Sequence, residues 1–96
     1  MYGTVAHFQT KPGMQAQLVN QLHEFEAAKV PGAVGSYIYR MDADPNSYYI
    51  AVMFESKEAY LANAQSPEQD ARFHRMQALL VSEPEWHDGE IVYALK

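Results

Sequence analysis

Seven consecutive residues constrain this chain more than any other feature. Tyr48-Tyr49-Ile50-Ala51-Val52-Met53-Phe54 contains no charged side chain and no break in its apolar character. It is far shorter than the ~20 residues a membrane helix needs, and its aromatic and β-branched content reads as a strand. A strand with one wet face alternates apolar and polar residues. This one does not, so both of its faces are expected to be covered. The chain has 96 residues, a soft prior for a single domain over residues 1–96, and few helical segments with which to cover two faces. One face is expected to meet the chain's own helices, and the other something outside the chain.

Composition removes several classes of chemistry. There is no cysteine, which excludes disulfides, thiolate nucleophiles and cysteine-ligated metal centres. The formal net charge is −5. With no basic run, nucleic acid and anionic membrane are poor partners. The N-terminal Met1-Tyr2-Gly3-Thr4-Val5 lacks the basic region and apolar core of a signal peptide, so a cytoplasmic location is the expectation. No two histidines show the spacing of a helical zinc site, and the scattered glycines make no phosphate loop, so neither metal nor cofactor is expected.

The remaining segments read in order. Residues 2–10 form a strand ending at Lys11-Pro12-Gly13, with Tyr2, Thr4, Ala6 and Phe8 on one face and Val5, His7 and Gln9 on the other. Residues 12–29 form a helix with the apolar stripe Met14, Leu18, Leu22 and Phe25. Val30-Pro31-Gly32 ends it. Residues 33–41 form a second strand, Asp42-Ala43-Asp44-Pro45-Asn46 a turn, and residues 48–55 the third strand, hairpinned to the second. Ser56 caps a short helix over 56–64. Ser66-Pro67 starts another that runs to about Ser82, with Phe73, Met76 and Leu80 as its core stripe. Trp86 to Leu95 is a last strand, interrupted near Asp88-Gly89.

The order β-α-β-β-α-α-β predicts an α+β, ferredoxin-like fold: a four-stranded antiparallel sheet with helices on one face. Its open face is expected to carry Val5, His7, Ile38, Tyr49, Ala51 and Met53. Two such faces stacked give a dimeric α+β barrel, a homodimer stabilised by apolar burial at ~25 cal/mol per Å².

Four segments then stand out together: Phe8-Gln9-Thr10-Lys11-Pro12-Gly13, Pro31-Gly32, Phe54-Glu55-Ser56-Lys57-Glu58-Ala59-Tyr60 and Ser66-Pro67. In this order and spacing the chain resembles, over nearly its whole length, the antibiotic biosynthesis monooxygenase (ABM) domain family. The resemblance implies a homodimer with a pocket in each subunit between sheet and helices. It also implies one of several activities: oxidation of polycyclic phenols to quinones without metal or flavin, heme degradation, or handling of small signal molecules. The quinone-forming members carry an asparagine and a tryptophan on the third strand, where this chain has Ile50 and Phe54. Their tyrosine, six residues further on, is matched by Tyr60. Their second-strand histidine falls at Tyr39, and their last-helix arginine near Phe73 or His74. The three residues that heme-degrading members use fall at Ala6, about Asn63, and His74.

These positions define the candidate site. His74, four residues after Asp70 on one helix face, is the expected base, with Tyr60 and Tyr39 as hydrogen-bonding groups. Phe8, Tyr37, Ile50, Phe54, Asn63 and Phe73 are expected to line a pocket for a small aromatic or hydrophobic molecule. The expected reaction is cofactor-independent oxygenation of a phenolic, quinol-type compound. The alternatives are non-catalytic binding or non-oxidative processing of a hydrophobic metabolite, and heme binding or breakdown through His74.

Overall fold

The computed structural model describes residues 1–95. The chain folds as β1 (Tyr2–Gln9), α1 (Gln15–Ala27), β2 (Ala33–Arg40), β3 (Ser47–Phe54), α2 (Lys57–Ala64), α3 (Pro67–Gln77) and β4 (Glu85–Glu90). This is the ferredoxin-like α+β order read from the sequence. The four strands form one antiparallel sheet in the order β2-β3-β1-β4.

Local chemistry sets the element ends. Ser56 and Ser66 each sit in extended backbone and accept a hydrogen bond from the backbone N–H three residues on, at 3.1 Å, capping α2 and α3. In the β2–β3 turn the Asp44 side chain accepts from the Asn46 N–H at 2.9 Å, an Asx turn. Gly32 takes φ +80°, and a Cβ there would stand 2.5 Å from that of Ala59, so both the turn and the approach of α2 require glycine.

Three boundaries differ from the sequence reading. The first helix begins at Gln15 rather than at residue 12, because Gly13 turns the chain with φ +79°. The last helix ends at Gln77, after which Lys11 N–H bonds to Leu79 and Val81 N–H to Gln9, drawing the chain back along β1. β4 stops at Glu90 rather than Leu95, and it runs through Asp88-Gly89 without interruption, paired to β1.

The sheet has two unlike faces. Ala6, Phe8, Tyr48 and Ile50 point to the helices and pack with Leu18 and Leu80 as the core. Leu22, Ile38, Val52, Met76 and Leu79 surround it. Phe54, 1% exposed, anchors the other end of the same face against Tyr60. Val5, His7, Tyr49, Ala51 and Met53 lie on the open face, since across β1 and β3 Val5 pairs with Ala51, His7 with Tyr49 and Gly3 with Met53.

On β2 the expected parity is reversed. Ile38 pairs with Ile50, and Tyr37 and Tyr39 pair with Ala51 and Tyr49. Ile38 therefore belongs to the helix face. Tyr37 and Tyr39, 63% and 53% exposed, belong to the open face. Directly opposed residues share a face, so the central strand β3 decides the matter, not the aromatic content of β2. A register shift between Ala33 and Gly35 adds an extra residue at Val34.

Leu18→Ala is expected to destabilise the fold by ~2–5 kcal/mol, the cost of a buried leucine-sized cavity. Val19→Ala, one residue on and outside the core, is expected to change stability by less than ~0.5 kcal/mol. Urea unfolding of both variants reads the difference, and equal effects would contradict the placement of α1.

Candidate functional site

Between the sheet and the helices the two layers separate and form a half-open cavity of about 430 Å³. Leu18, Leu22, Ile50 and Met76 bound it on the core side, and Phe54 and Tyr60 on the other. Phe25, Phe73 and Trp86 add aromatic walls, the last two with ring centroids 6.0 Å apart. Such a cavity suits a flat, largely apolar molecule.

Gln21, Glu24, Ser36 and Asp70 are polar members of the lining, and two further polar groupings are built from hydrogen-bonded side chains. On α3, Gln69, Arg72, Phe73 and Met76 face the cavity, the i, i+3, i+4, i+7 set that shares one helix face. Arg72 Nε donates to Gln69 Oε1 at 3.1 Å, and its terminal nitrogen donates to Asn63 Oδ1 on α2 at 3.3 Å. Its guanidinium lies 5.6 Å from the centre of the Phe25 ring. A cation is thus held in place among apolar walls, with further N–H donors available to an anionic oxygen. An ion pair of 3.1 Å between Arg75 and Glu24 ties α3 to α1 beside it.

The second grouping joins α2 to β4. Thr4 and Asp88 stand opposite each other on β1 and β4, and both line the cavity. Tyr60 Oη donates to Asp88 Oδ1 at 2.8 Å. The Tyr60 ring is wedged between Tyr2 and Phe54, at centroid distances of 5.3 and 5.6 Å. Burial of the hydroxyl raises its pKa, and the hydrogen bond and negative charge of Asp88 add to that, taking it from 10.0 to about 12. Thr4 works in the opposite direction without reversing the shift.

The sequence-derived candidates divide. Tyr60, Ile50, Phe54, Asn63 and Phe73 line the cavity. Phe8 is core, stacked on Tyr48 at 5.8 Å. Tyr37 and Tyr39 are on the opposite face of the sheet. His74 is not in the cavity either. Its side chain is 66% exposed, its Nδ1 donates to the Asp70 carbonyl at 2.9 Å, and the Asp70 carboxylate is 3.4 Å away. Asp70, one turn earlier on the same side of α3, is at the edge of the cavity lining, and His74 lies beyond that edge. The histidine proposed as base, or as heme ligand, therefore faces solvent. Among the described residues no group of three or more histidine, aspartate or glutamate side chains is disposed to hold a metal ion, and no helix is long and apolar enough to cross a membrane.

Sequence reasoning missed Arg72, Asp88, Thr4 and Trp86 as site residues. Arg72 was within reach, since it completes the stripe of Gln69, Phe73 and Met76. Trp86 and Asp88 are two apart on one strand and so share a face, but only the β1–β4 register says which.

The sequence profile of the family described as antibiotic biosynthesis monooxygenase matches residues 1–75. The chain belongs to the antibiotic biosynthesis monooxygenase family. Solved structures of similar fold span nearly the whole ABM chain. One is of a Chloroflexus aurantiacus protein assigned to this family. It is 22% identical, with 99% of this chain and 96% of that one covered, and a TM-score of 0.80. Another is a mutant of SnoaB, a cofactor-independent oxygenase from Streptomyces nogalater. It is 19% identical, with coverage of 98% and 95%, and a TM-score of 0.82. A third, from Caulobacter crescentus and also assigned to the family, is 18% identical, with coverage of 96% and 90%, and a TM-score of 0.80. No curated protein sequence matches the chain closely enough to count as a relative. At these identities the likeness to solved structures carries the ABM fold and nothing finer.

The raised pKa of Tyr60 has a sign that can be checked. In the unfolded chain the phenol ionises near 10.0, and in the folded chain near 12. The stability it contributes is fully present below pH 10 and is lost as pH rises towards 12. The difference between ultraviolet titrations of the wild-type protein and Tyr60→Phe should show one tyrosine titrating near 12. A missing component centred at 10 would contradict the half-buried setting of Tyr60 and its hydrogen bond to Asp88.

Proposed function

We propose that this ABM protein is a cofactor-independent monooxygenase acting on a small phenolic, quinol-type compound bound in the cavity. The observation that carries the reading is a fixed guanidinium, Arg72, the one cation among the described residues of a cavity with aromatic and aliphatic walls whose carboxylates are Glu24, Asp70 and Asp88. Membership of the family and the fold shared with a cofactor-independent oxygenase support it.

The chemistry places clear demands on the protein. Triplet dioxygen reacts slowly with closed-shell molecules, but an electron-rich phenolate can pass it one electron. The substrate then supplies the reducing power. In the overall reaction a ring CH₂ becomes C=O. One oxygen atom of O₂ stays on that carbon, and the other leaves as water with the two hydrogens. The protein has to bind the ring, exclude bulk water and stabilise the phenolate. Phe25, Phe73 and Trp86 provide the ring contacts, Arg72 the positive charge for the phenolate oxygen, and Tyr60 a polar contact at the opposite wall.

The open sheet face belongs to the same proposal. Val5, Tyr37, Tyr39 and Tyr49 are 51%, 63%, 53% and 42% exposed on one surface, and Ala51 and Met53 lie among them. A contiguous apolar patch of this kind marks a protein interface, and a second copy of the chain is its occupant. Sedimentation at micromolar concentration is expected to give twice the 10.9 kDa chain mass. A monomer would overturn this part.

One observation favours non-oxidative binding instead: Ile50 and Phe54 are apolar where the quinone-forming pattern has asparagine and tryptophan. Oxygen uptake with anthrone as substrate separates the two readings. Uptake is expected, with Arg72→Ala lowering kcat/KM roughly 100-fold, the scale of a lost oxyanion donor. His74→Ala and Tyr39→Phe should stay within about twofold of wild type, since neither side chain lines the cavity. A ligand-induced rise in Tm without any uptake would replace the oxygenase with a binding protein.

A further inference from the structure

We propose that Tyr60 and Asp88 form a relay that carries the phenol proton of a bound substrate out of the cavity, Tyr60 accepting it and Asp88 receiving the next one. This rests on the reading of the cavity as an oxygenase site, and it supplies the base that His74 cannot be.

The hydrogen-bond geometry fixes the direction. A phenol has a single O–H, and that of Tyr60 is donated to Asp88 at 2.8 Å. Towards the cavity the Tyr60 oxygen therefore offers lone pairs. It meets a substrate hydroxyl as an acceptor, not as a donor. Packing between the Tyr2 and Phe54 rings holds this orientation. Asp88 lies on the exposed strand β4, so the carboxylate that touches Tyr60 on one side is open to water on the other. The neighbouring ionisable pair on β4, His87 and Glu85 at 2.9 Å, alternates to the opposite face of the strand and does not enter the relay.

The step balances. The substrate O–H bond breaks and an O–H bond to Tyr60 forms. The original Tyr60 O–H bond breaks and a bond to Asp88 Oδ1 forms. The electron pair stays on the substrate oxygen, so one carboxylate charge becomes one phenolate charge, facing Arg72. Asp88 then releases its proton to water. Tyr60 alone is a feeble base, and Asp88, which also lines the cavity, has its Oδ1 occupied by the Tyr60 hydroxyl. Together they place carboxylate basicity at the cavity wall. The raised pKa of Tyr60 keeps the relay loaded with its proton.

The test uses oxygen uptake with anthrone, whose enol tautomer carries the O–H that the relay deprotonates. Asp88→Asn keeps the shape of the side chain and removes the base. It is expected to lower kcat roughly 100-fold, the scale of general base catalysis, with KM within about threefold of wild type. Asp88→Ala should lose as much, and added formate, which can enter from solvent, should restore at least tenfold of the loss. Tyr60→Phe should lose as much without any formate rescue. Circular dichroism establishes that each variant is folded. Unimpaired kcat in Asp88→Asn overturns the relay alone. A loss in Asp88→Ala that formate leaves unrescued marks a structural role and also overturns it. Absence of uptake by the wild-type protein overturns the oxygenase reading and the relay together.

Discussion

The alternation of β3 is the constraint from which the rest of the structure follows. Tyr48, Ile50, Val52 and Phe54 point to the helices, and Tyr49, Ala51 and Met53 away from them. β3 is paired on both sides, so its parity is transmitted to β1 and β2. A slip of one residue would exchange every side chain between the faces. The core, the cavity and the exposed aromatic surface are all set by that one choice.

On the helix face, the core closes at one end around Leu18 and Leu80 and at the other around Phe54. Between these ends the helices stand off the sheet, and polar groups enter only where something specific holds them. Arg72 is held by Asn63, Gln69 and the Phe25 ring, and Tyr60 by Asp88. The first spans α1, α2 and α3 and the second α2 and β4, so the cavity's chemistry depends on how α2 sits against its neighbours.

Much of this was legible in the sequence. The element order, the serine caps and the two-faced character of β3 come from local signals: cap residues, turn residues and periodicity. So does the α3 stripe, in which Arg72 stands beside Phe73 and lines the cavity while His74 does not. The reversal on β2 has a different origin. Gly35, Tyr37 and Tyr39 outweigh Ser36, Ile38 and Arg40 in apolar content, so they look like the inward set. In the fold they point outward, because the partner strand sets the register and the outward face is itself apolar. Asp88 was hidden for a similar reason, since its contact with Tyr60 spans 28 residues and no local pattern announces it.

The division of labour between the two faces is the central claim: a small molecule on the helix side, protein on the open side. Methyl NMR of the labelled protein during titration with 1,8-dihydroxyanthraquinone tests it most directly. Ile50 and Met76 line the cavity, whereas Met53 lies on the open face. The account predicts that the methyl signals of Ile50 and Met76 move while that of Met53 stays in place. Movement at Met53 with Ile50 and Met76 unchanged would contradict it.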